Sequence, residues 1–164
     1  TVILNGWFGD TSRMYFAGKP SVKAKRLCDV TYECMMRGID VVRPGAYFGD
    51  IGAAIEEIAH HYGYSVVDMF CGHGLGRIFH DEPNVMHCGK KGTGPRLEEG
   101  MFFTIEPMIN FGKKEATILA NEWTAVTRDR SLSAQFEHSL AVTKDGFEVF
   151  TYSPAGLDKP PYSK

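Results

Sequence analysis

The sequence has no excess of positive charge and no long apolar run. Its 164 residues contain 18 lysines and arginines against 20 aspartates and glutamates, a formal net charge of −2. Because phosphate-backbone binding usually needs a basic excess, we expect no direct nucleic-acid binding. The longest apolar stretches are far shorter than the roughly 18 residues of a membrane span, and no basic-then-apolar signal opens the chain. We therefore expect no membrane partner and a cytoplasmic location.

The sequence has no C-x-x-C pair among its cysteines. The four residues are Cys28, Cys34, Cys71 and Cys88. Their spacing excludes a zinc knuckle and a thioredoxin-type motif, and we interpret each as a reduced thiol acting as a small buried hydrophobe. A chain of this length buries roughly 70% of its unfolded surface and needs no disulfide or structural metal. Any bound metal would therefore have a catalytic role rather than a structural one.

Hydrophobic periodicity predicts one α+β domain. The predicted elements, in order, are strands 1–4 and 14–16 joined by a Gly-bearing loop, helices 21–37 and 51–62, and strands 64–70, 101–108, 122–128, 135–143 and 147–151. Ser21 and Asp50 are the predicted N-caps, and Gly38 and Gly63 the predicted helix ends. Strands that follow two helices favour an antiparallel sheet backed by helices.

The two ends of the chain have distinct compositions. Residues 153–164 carry three prolines and little apolar content, so they predict a Pro-rich surface tail after a domain over residues 1–152. The first residues, from Thr1 to Leu4, already form a β-type apolar run with no cap or lead-in. We interpret this start as that of a domain cut in mid-strand.

Four polar residues lie where a sheet protein would not normally place them. Asp10, His73, Glu106 and Glu137 are each embedded in apolar or glycine context. This oxygen-rich, thiol-free set suits Mn, Fe, Co or Zn, and carboxylates that bridge two ions about 3.5–4 Å apart are how hydrolases activate water. The alternative is that they are surface acids on the wet side of a half-exposed sheet.

A glycine-flanked histidine occurs in the stretch 72–76. This stretch does not match G-x-G-x-x-G, and no Lys-Ser/Thr follows it, so we reject a phosphate-binding loop. We expect the glycines beside His73 to let backbone and ligand approach closely, as a metal-binding or substrate-binding histidine requires. Phe79 and His80 follow closely and could line the same site.

Other candidate residues are weaker. His60 and His61 fall off the apolar stripe of the second predicted helix, which favours a solvated face. Trp7 and Trp123 are expected in the core. No Ser/His/Asp or Cys/His arrangement is evident, and Ser12 has no nucleophile-elbow context.

Four linked motifs resemble the bacterial type I methionine aminopeptidases in order and separation. They are GDTSRM at 9–14, GHGLG at 72–76 followed by Phe79 and His80, FTIEPM at 103–108, and SLSAQFEH at 131–138. The resemblance runs almost unbroken from Thr1 to about Phe150. It implies the pita-bread fold, two pseudo-symmetric α+β halves with a dinuclear metal site between them, here without part of the N-terminal half.

The resemblance also implies a ligand set for two divalent ions, Co, Mn, Fe or Zn. Asp10 and Glu137 would bridge both ions, while His73 and Glu106 would each bind one. The family's fifth ligand, an Asp, belongs two residues before Thr1, and the N-terminal segment that supplies much of the methionine pocket and one active-site histidine also lies upstream. We accordingly expect this chain alone to be aggregation-prone and inactive.

The implied activity is hydrolysis of the peptide bond after an initiator methionine. In the family's mechanism the metals activate a bridging water, Glu106 is the proton shuttle and His80 hydrogen-bonds the substrate. Phe79 and Trp123 match family positions that line the methionine pocket. The implied partners are N-terminal Met peptides of nascent proteins near the ribosome, and the full-length enzyme is expected to be a monomer.

Three alternatives to this activity stay open at the level of sequence. The chain could be a non-catalytic binding protein on the same fold or an inactive fragment. It could also be a relative of prolidase and aminopeptidase P, which share the fold and metals but prefer X-Pro bonds.

Overall fold

The structure is a computed structural model that describes residues 1–162. Residues 163 and 164, the last two of the predicted tail, lie outside the described residues. The helices are α1 (Val22–Asp40) and α2 (Phe48–His61). The strands are β1 (Val2–Leu4), β2 (Trp7–Gly9), β3 (Ser65–Val66), β4 (Gly72–Gly74), β5 (Asp81–Val85), β6 (Phe102–Ile105), β7 (Met108–Asn110), β8 (Ala116–Ile118), β9 (Ala125–Thr127), β10 (Ser133–Gln135), β11 (His138–Val142) and β12 (Phe147–Val149).

The strands form four sheets in which every described pairing is antiparallel. The largest has five strands in the order β12-β11-β6-β4-β5, and a second has the order β10-β7-β3. Strands β1 and β2 form one hairpin, and β8 and β9 form another. Helix α1 packs on α2 and on β10, β7 and β6. The predicted α+β class with antiparallel sheets backed by helices is confirmed.

The core lies between the two helices and the sheets. Its largest fully buried apolar side chains are Leu27, Met35 and Ile39 from α1, Ile51 and Ile55 from α2, Leu97 from a loop, Phe103 and Ile105 from β6, Ile109 from β7, Phe136, and Leu140 from β11. The β6 and β11 side chains in this set come from the central strands of the five-stranded sheet. The core therefore anchors the strands whose ends carry the candidate ligands.

Helix α1 begins as predicted but ends later. The Ser21 hydroxyl accepts a hydrogen bond from the Ala24 amide at 3.1 Å, as an N-cap does. The helix continues past Gly38 to Asp40. A Cβ at Gly38 would lie 2.8 Å from Ile55 Cδ1, so this glycine permits close packing of α1 on α2 and does not end the helix.

Helix α2 begins earlier than predicted, at Phe48, with Tyr47 as its N-cap. Asp50 is therefore the third helical residue, and its carboxylate accepts a hydrogen bond from the Tyr47 amide at 2.8 Å. The expectation that Asp50 is the N-cap is wrong, because a carboxylate in the first turn can bond the amide at the cap as well. Gly63, with φ +74°, follows the helix, which confirms the predicted end.

The first hairpin is tighter than predicted. Asn5 and Gly6 have φ values of 52° and 79°, as a two-residue type I′ turn requires, so β1 returns at once as β2. The predicted partner strand 14–16 is wrong, since this stretch has no regular structure. The tight turn places Asp10 directly after β2.

Several later strands are shorter or more numerous than predicted. The predicted strand 101–108 is divided into β6 and β7 at Glu106 and Pro107, and 135–143 is divided at Phe136 and Glu137. Strands β4, β5 and β8 were not predicted, because glycine, charge and proline weaken the local signal while pairing with neighbours decides the structure. The divisions put Glu106 and Glu137 at strand ends.

The state of the cysteines agrees in part with what the sequence predicts. All four cysteines are free thiols, with Cys28 and Cys34 buried. Cys71 and Cys88 are only partly buried, so for these two the expected full burial is wrong: both lie in loops beside short strands.

Within residues 1–162, neither helix combines the length and the apolar character that a membrane crossing requires.

Candidate metal centre

Four elements bring the predicted ligands together. Asp10 follows β2, His73 is the middle residue of β4, Glu106 follows β6, and Glu137 immediately precedes β11. Strands β4, β6 and β11 are neighbours in one sheet. The β2 hairpin is tied to this sheet through Ser139 of β11, whose hydroxyl donates to the Asp10 carbonyl at 2.6 Å.

The functional atoms of these residues are close and poorly accessible to solvent. One ligand atom from each of Asp10, His73 and Glu137 lies within 4.8 Å of the others. His73 Nε2 is 3.4 Å from Glu106 Oε1 and 3.8 Å from Asp10 Oδ2. Asp10, His73 and Glu137 are 8%, 7% and 4% exposed. The alternative of solvated surface acids is wrong, because Asp10 and Glu137 are buried and Glu106 is partly buried.

His73 faces Glu106 and Asp10 with its Nε2 atom. His73 Nδ1 lies 3.0 Å from the carbonyl oxygen of Gly74, and a carbonyl oxygen can only accept. Nδ1 therefore carries the proton, which leaves the Nε2 lone pair facing Glu106 and Asp10. A backbone carbonyl that fixes the tautomer in this way is the usual support of a metal-binding histidine.

Each carboxylate is held by hydroxyl or amide donors. Ser12 Oγ donates to Glu137 Oε2 at 2.7 Å. Thr104 Oγ1 donates to Glu106 Oε1 at 2.8 Å, and Gln135 Nε2 donates to Glu106 Oε2 at 3.2 Å. These contacts orient the acids without neutralising their charge.

Burial and mutual repulsion raise the pKa of two of the acids. The pKa of Glu106 is raised to about 7, first by burial and then by the charge of Asp10, against the hydrogen bonds from Thr104 and Gln135. The pKa of Glu137 is raised to about 8, again first by burial and then by the charges of Glu106 and Asp10. A cation placed among these groups would relieve both effects.

The donor set fits a divalent metal ion. It offers carboxylate oxygens and one imidazole nitrogen, has no thiolate, and concentrates negative charge in a buried space. This combination suits Mn, Fe, Co or Zn in a catalytic site rather than a structural zinc site.

Phe79 and His80 lie beside the cluster. The His80 ring centroid is 4.4 Å and the Phe79 centroid 5.6 Å from that of His73, both in edge-to-face contact. Phe8 of β2 stacks on Phe79 at 5.3 Å. His80 is exposed and so can meet an incoming molecule. The structure thus brings together both residues that the sequence placed near His73.

The two tryptophans are not in the core. Trp123 is 88% exposed in the turn of the β8–β9 hairpin, and no contact described within residues 1–162 joins it to the cluster. Trp7 is 52% exposed and has the Arg77 guanidinium 4.5 Å above its ring. The core expectation is wrong for both, because short hairpins present their tips to solvent. His60 and His61 are exposed, as predicted.

Trp7 and Phe8 also line an apolar cavity of about 410 Å³. Its other apolar walls are Leu75, Phe102 and Phe150. Gly9 and Thr11, on either side of Asp10 along the chain, line it as well. The cavity therefore lies against the segment that carries a candidate ligand.

Sequence reasoning missed the residues that support the acids. Ser12 and Gln135 lie inside two of the motifs, where a polar residue two places from an acid was the available signal. His87 gave no signal at all. It is 2% exposed, its Nε2 accepts the Glu106 amide at 3.0 Å, and burial lowers its pKa to about 3, so it is a neutral acceptor behind Glu106.

Comparison with known proteins agrees with this geometry. Residues 1–144 match the model of metallopeptidase family M24. A curated relative, "Methionine aminopeptidase" of Rickettsia prowazekii (strain Madrid E), is 61% identical over 164 residues, which is 99% of this chain and 63% of the relative. The chain thus spans about three fifths of that relative's length.

Solved structures give the same result for the fold. The crystal structure of methionine aminopeptidase from Rickettsia prowazekii superposes with a TM-score of 0.90 at 59% identity, covering 91% of this chain and 60% of that one. Prolidase from Pyrococcus furiosus has a TM-score of 0.71 at 23% identity, over 91% of this chain and 38% of that one, a likeness of fold alone. The predicted pita-bread fold is confirmed, and the chain belongs to metallopeptidase family M24.

Proposed function

We propose that this chain carries the metal centre of a methionine aminopeptidase, which removes the initiator methionine from new proteins. The observation that carries the proposal is the buried cluster of Asp10, His73 and Glu137, with Glu106 beside it. The Rickettsia prowazekii relative of that name supports the choice of substrate. A relative of prolidase is not favoured, because that likeness is 23% identical.

Two divalent ions are the proposed cofactors, with Co, Mn, Fe or Zn as candidates. Asp10, His73, Glu106 and Glu137 would hold the ions. Bound ions would act as Lewis acids that lower the pKa of a water molecule and polarise the scissile carbonyl. A non-catalytic binding protein is not favoured, because it would have no need to keep three acids and a histidine buried together.

Glu106 is the proposed proton shuttle. Its carboxylate would take a proton from the attacking water and deliver it to the amino group that leaves as the C–N bond breaks. Hydrogen bonds from Thr104 and Gln135 hold both oxygens of this carboxylate, which supports a role that requires a fixed direction of transfer. The neutral His87 behind the Glu106 amide supports the same orientation.

His80 and Phe79 are the proposed substrate contacts nearest the cluster. The exposed His80 would donate a hydrogen bond to the substrate carbonyl oxygen, where negative charge develops. Phe79, half-buried between Phe8 and His73, would contact the methionine side chain. Trp123 is proposed as a further pocket residue on the resemblance alone, since its ring is 88% exposed.

The proposed setting is the cytoplasm, where N-terminal Met peptides of nascent proteins are met near the ribosome. The formal charge of −2 supports contact with peptides rather than nucleic acid. The proposed oligomeric state of the full-length enzyme is a monomer, and the proposed catalytic domain is residues 1–152.

The test is metal binding followed by peptide cleavage, both measured on the full-length protein, because this chain alone is expected to be inactive. Titration of the metal-free protein with Mn²⁺ or Co²⁺ should show a calorimetric binding signal that His73→Ala weakens by at least tenfold. His60→Ala, on the exposed face of α2, is the matched control and should bind the ions as the wild type does. With metal added, free methionine should be released from a Met-Ala-Ser peptide and nothing from an Ala-Pro peptide. No bound ion and no released methionine would overturn the proposal, and cleavage of Ala-Pro alone would favour the prolidase alternative.

A further inference from the structure

The segment from Phe150 to Tyr162, which we term the C-terminal strap, packs against the rest of the domain. It runs against the segment 10–15, which we term the ligand loop because it carries Asp10. Two groups of contacts join the two segments, through a guanidinium and through two aromatic rings, and a third group joins the strap to β11 through a threonine hydroxyl. All of the residues concerned lie within the described part of the chain.

Arg13 of the ligand loop is the centre of the first group. Its Nη1 donates to the Leu157 carbonyl at 2.8 Å, and its Nη2 donates to the Thr151 carbonyl at 3.1 Å. Nη2 also lies 3.5 Å from Asp158 Oδ1. Both charged side chains are about one fifth exposed, at 20% and 18%. A planar guanidinium that bonds two points of one segment fixes its position better than a single contact does.

Asp158 also organises the strap itself. Its Oδ1 accepts a hydrogen bond from the Ser153 amide at 2.6 Å, which closes the turn of the strap over Arg13. The carboxylate therefore joins the guanidinium and the turn in one arrangement. Loss of its charge would weaken the contact with Arg13 while an amide in its place could still accept from Ser153.

The second group of contacts lies at the far end of the strap. The Tyr162 hydroxyl donates to the Met14 carbonyl at 2.7 Å, and its ring packs on that of Tyr15 with centroids 4.6 Å apart. Pro160 is buried, and the Lys159 ammonium lies 5.0 Å from the Tyr32 ring. The strap is thus anchored on both the ligand loop and α1.

The third group leads to strand β11. Thr151 Oγ1 accepts the Ser139 amide at 3.1 Å and lies 2.7 Å from His138 Nδ1. Ser139 in turn donates its hydroxyl to the Asp10 carbonyl. The strap therefore contacts the two backbone segments that place Asp10 and Glu137.

We propose that Arg13, held by the C-terminal strap, is a positioning residue for the candidate metal centre. Arg13 directly follows Ser12, whose hydroxyl bonds the Glu137 carboxylate and whose carbonyl accepts the Glu137 amide at 2.9 Å. The contacts with the strap fix the position of the ligand loop, so Ser12 and Asp10 keep their positions relative to Glu137. Loss of these contacts would make the relative position of Asp10 and Glu137 more variable without removing a ligand.

The first measurement concerns the metal-free protein and does not depend on the proposed function. Hydrogen exchange is compared in the full wild-type chain, Arg13→Lys and Asp158→Asn, with Arg128→Lys on the exposed β9 end as matched control. Exchange of the Glu137 amide should accelerate about tenfold in Arg13→Lys, because lysine cannot bond two carbonyls and a carboxylate in one plane. Asp158→Asn should show a smaller acceleration, and amides in α1 should be unchanged in all variants.

The second measurement is Mn²⁺ affinity, which rests on the proposed function. Arg13→Lys should weaken binding about tenfold, the lower end of the range for groups that support metal ligands, and the control should not. Unchanged exchange at Glu137 in both strap variants would overturn the inference, as would acceleration spread uniformly over the protein, which marks general destabilisation. Wild-type protein that binds no Mn²⁺ while exchange still responds at Glu137 would overturn the proposed function and leave the strap's positioning of the loop established.

Discussion

At the scale of single residues, the carboxylates of this chain divide according to their surroundings. Glu106 and Glu137 are buried among other acids, and their pKa values are raised, in both cases mainly by burial. Asp129 is exposed and surrounded by donors, and its pKa is lowered. The anionic form of a carboxyl group is therefore disfavoured in the cluster and favoured in the loop between β9 and β10. Of these two arrangements, only the buried cluster would gain from a bound cation, which would favour the anionic form of its carboxyl groups.

Asp129 provides a test of this contrast by pH. Its Oδ2 accepts the Lys113 amide at 2.7 Å and its Oδ1 the Ser131 amide at 2.9 Å. Hydrogen bonds from Lys113 and then Ser131 lower the pKa of Asp129 from the ordinary 3.8 to about 2. Because the folded pKa lies below the unfolded one, the carboxylate stabilises the loop above about pH 4, and this contribution is lost as the pH falls through about 2.

The measurement is a carbon NMR titration of the Asp129 carboxyl group. The midpoint in the folded protein should lie near 2, and the midpoint in urea should return to the ordinary value. Asp129→Asn is the companion variant, in which the protection of the Lys113 amide from exchange, relative to the intrinsic rate at each pH, should no longer change over this pH range. A folded-state midpoint near 4 would show that the two amides do not stabilise the carboxylate.

At the scale of elements, strand β4 decides how closely the sheet closes around His73. A Cβ at Gly72 would collide with the Thr104 carbonyl of β6, and a Cβ at Gly74 would collide with the Glu82 carbonyl of β5. Both obstacles are backbone atoms of neighbouring strands. The glycines therefore let β5 and β6 approach β4, which holds the His73 ring against Glu106.

Gly74→Ala should consequently destabilise the sheet. The methyl group has no space beside Glu82, so strand β5 must shift, and we expect a loss of about 1–3 kcal/mol in the free energy of unfolding. Urea denaturation measures this change. Gly146→Ala is the matched control, since a Cβ there meets nothing within 4 Å, and it should stay within about 0.5 kcal/mol of wild type. Equal denaturation midpoints for the two variants would contradict the role of close strand approach.

The elements also show which parts of the fold the sequence could predict. Helices α1 and α2 carry long apolar stripes, and their existence was predictable from periodicity alone. Strand β4 consists of Gly-His-Gly and β5 contains a proline, so neither has local β-propensity, and both exist because neighbouring strands pair with them. The position of Asp10 depended on the two-residue turn at Asn5 and Gly6, which was interpreted as part of a longer loop.

At the scale of the whole molecule, the candidate site is a product of topology. Its four residues are spread from position 10 to position 137 and meet only because β4, β6 and β11 are adjacent and the β1–β2 hairpin packs on β11. Residue types alone suggested a metal but left solvated surface acids as an alternative. The set was predictable through the family resemblance, whereas Ser12, Gln135, His87 and the strap contacts required the folded chain.

This dependence on topology leads to an expectation for the stability of the folded protein. The ligands converge only after folding, so an ion should bind the folded chain far better than the unfolded one and stabilise it by mass action. At Mn²⁺ concentrations 100-fold above the dissociation constant, the gain should be about 2.7 kcal/mol, or a rise of about 5–10 °C in the unfolding midpoint. Differential scanning calorimetry with Mn²⁺, and again after excess EDTA, measures the rise and its reversal. His73→Ala should show little of either, because it lacks the nitrogen that lies 3.4 Å from Glu106. An unfolding midpoint that saturating Mn²⁺ leaves unchanged in the wild-type protein would mean that the four residues do not form a metal site.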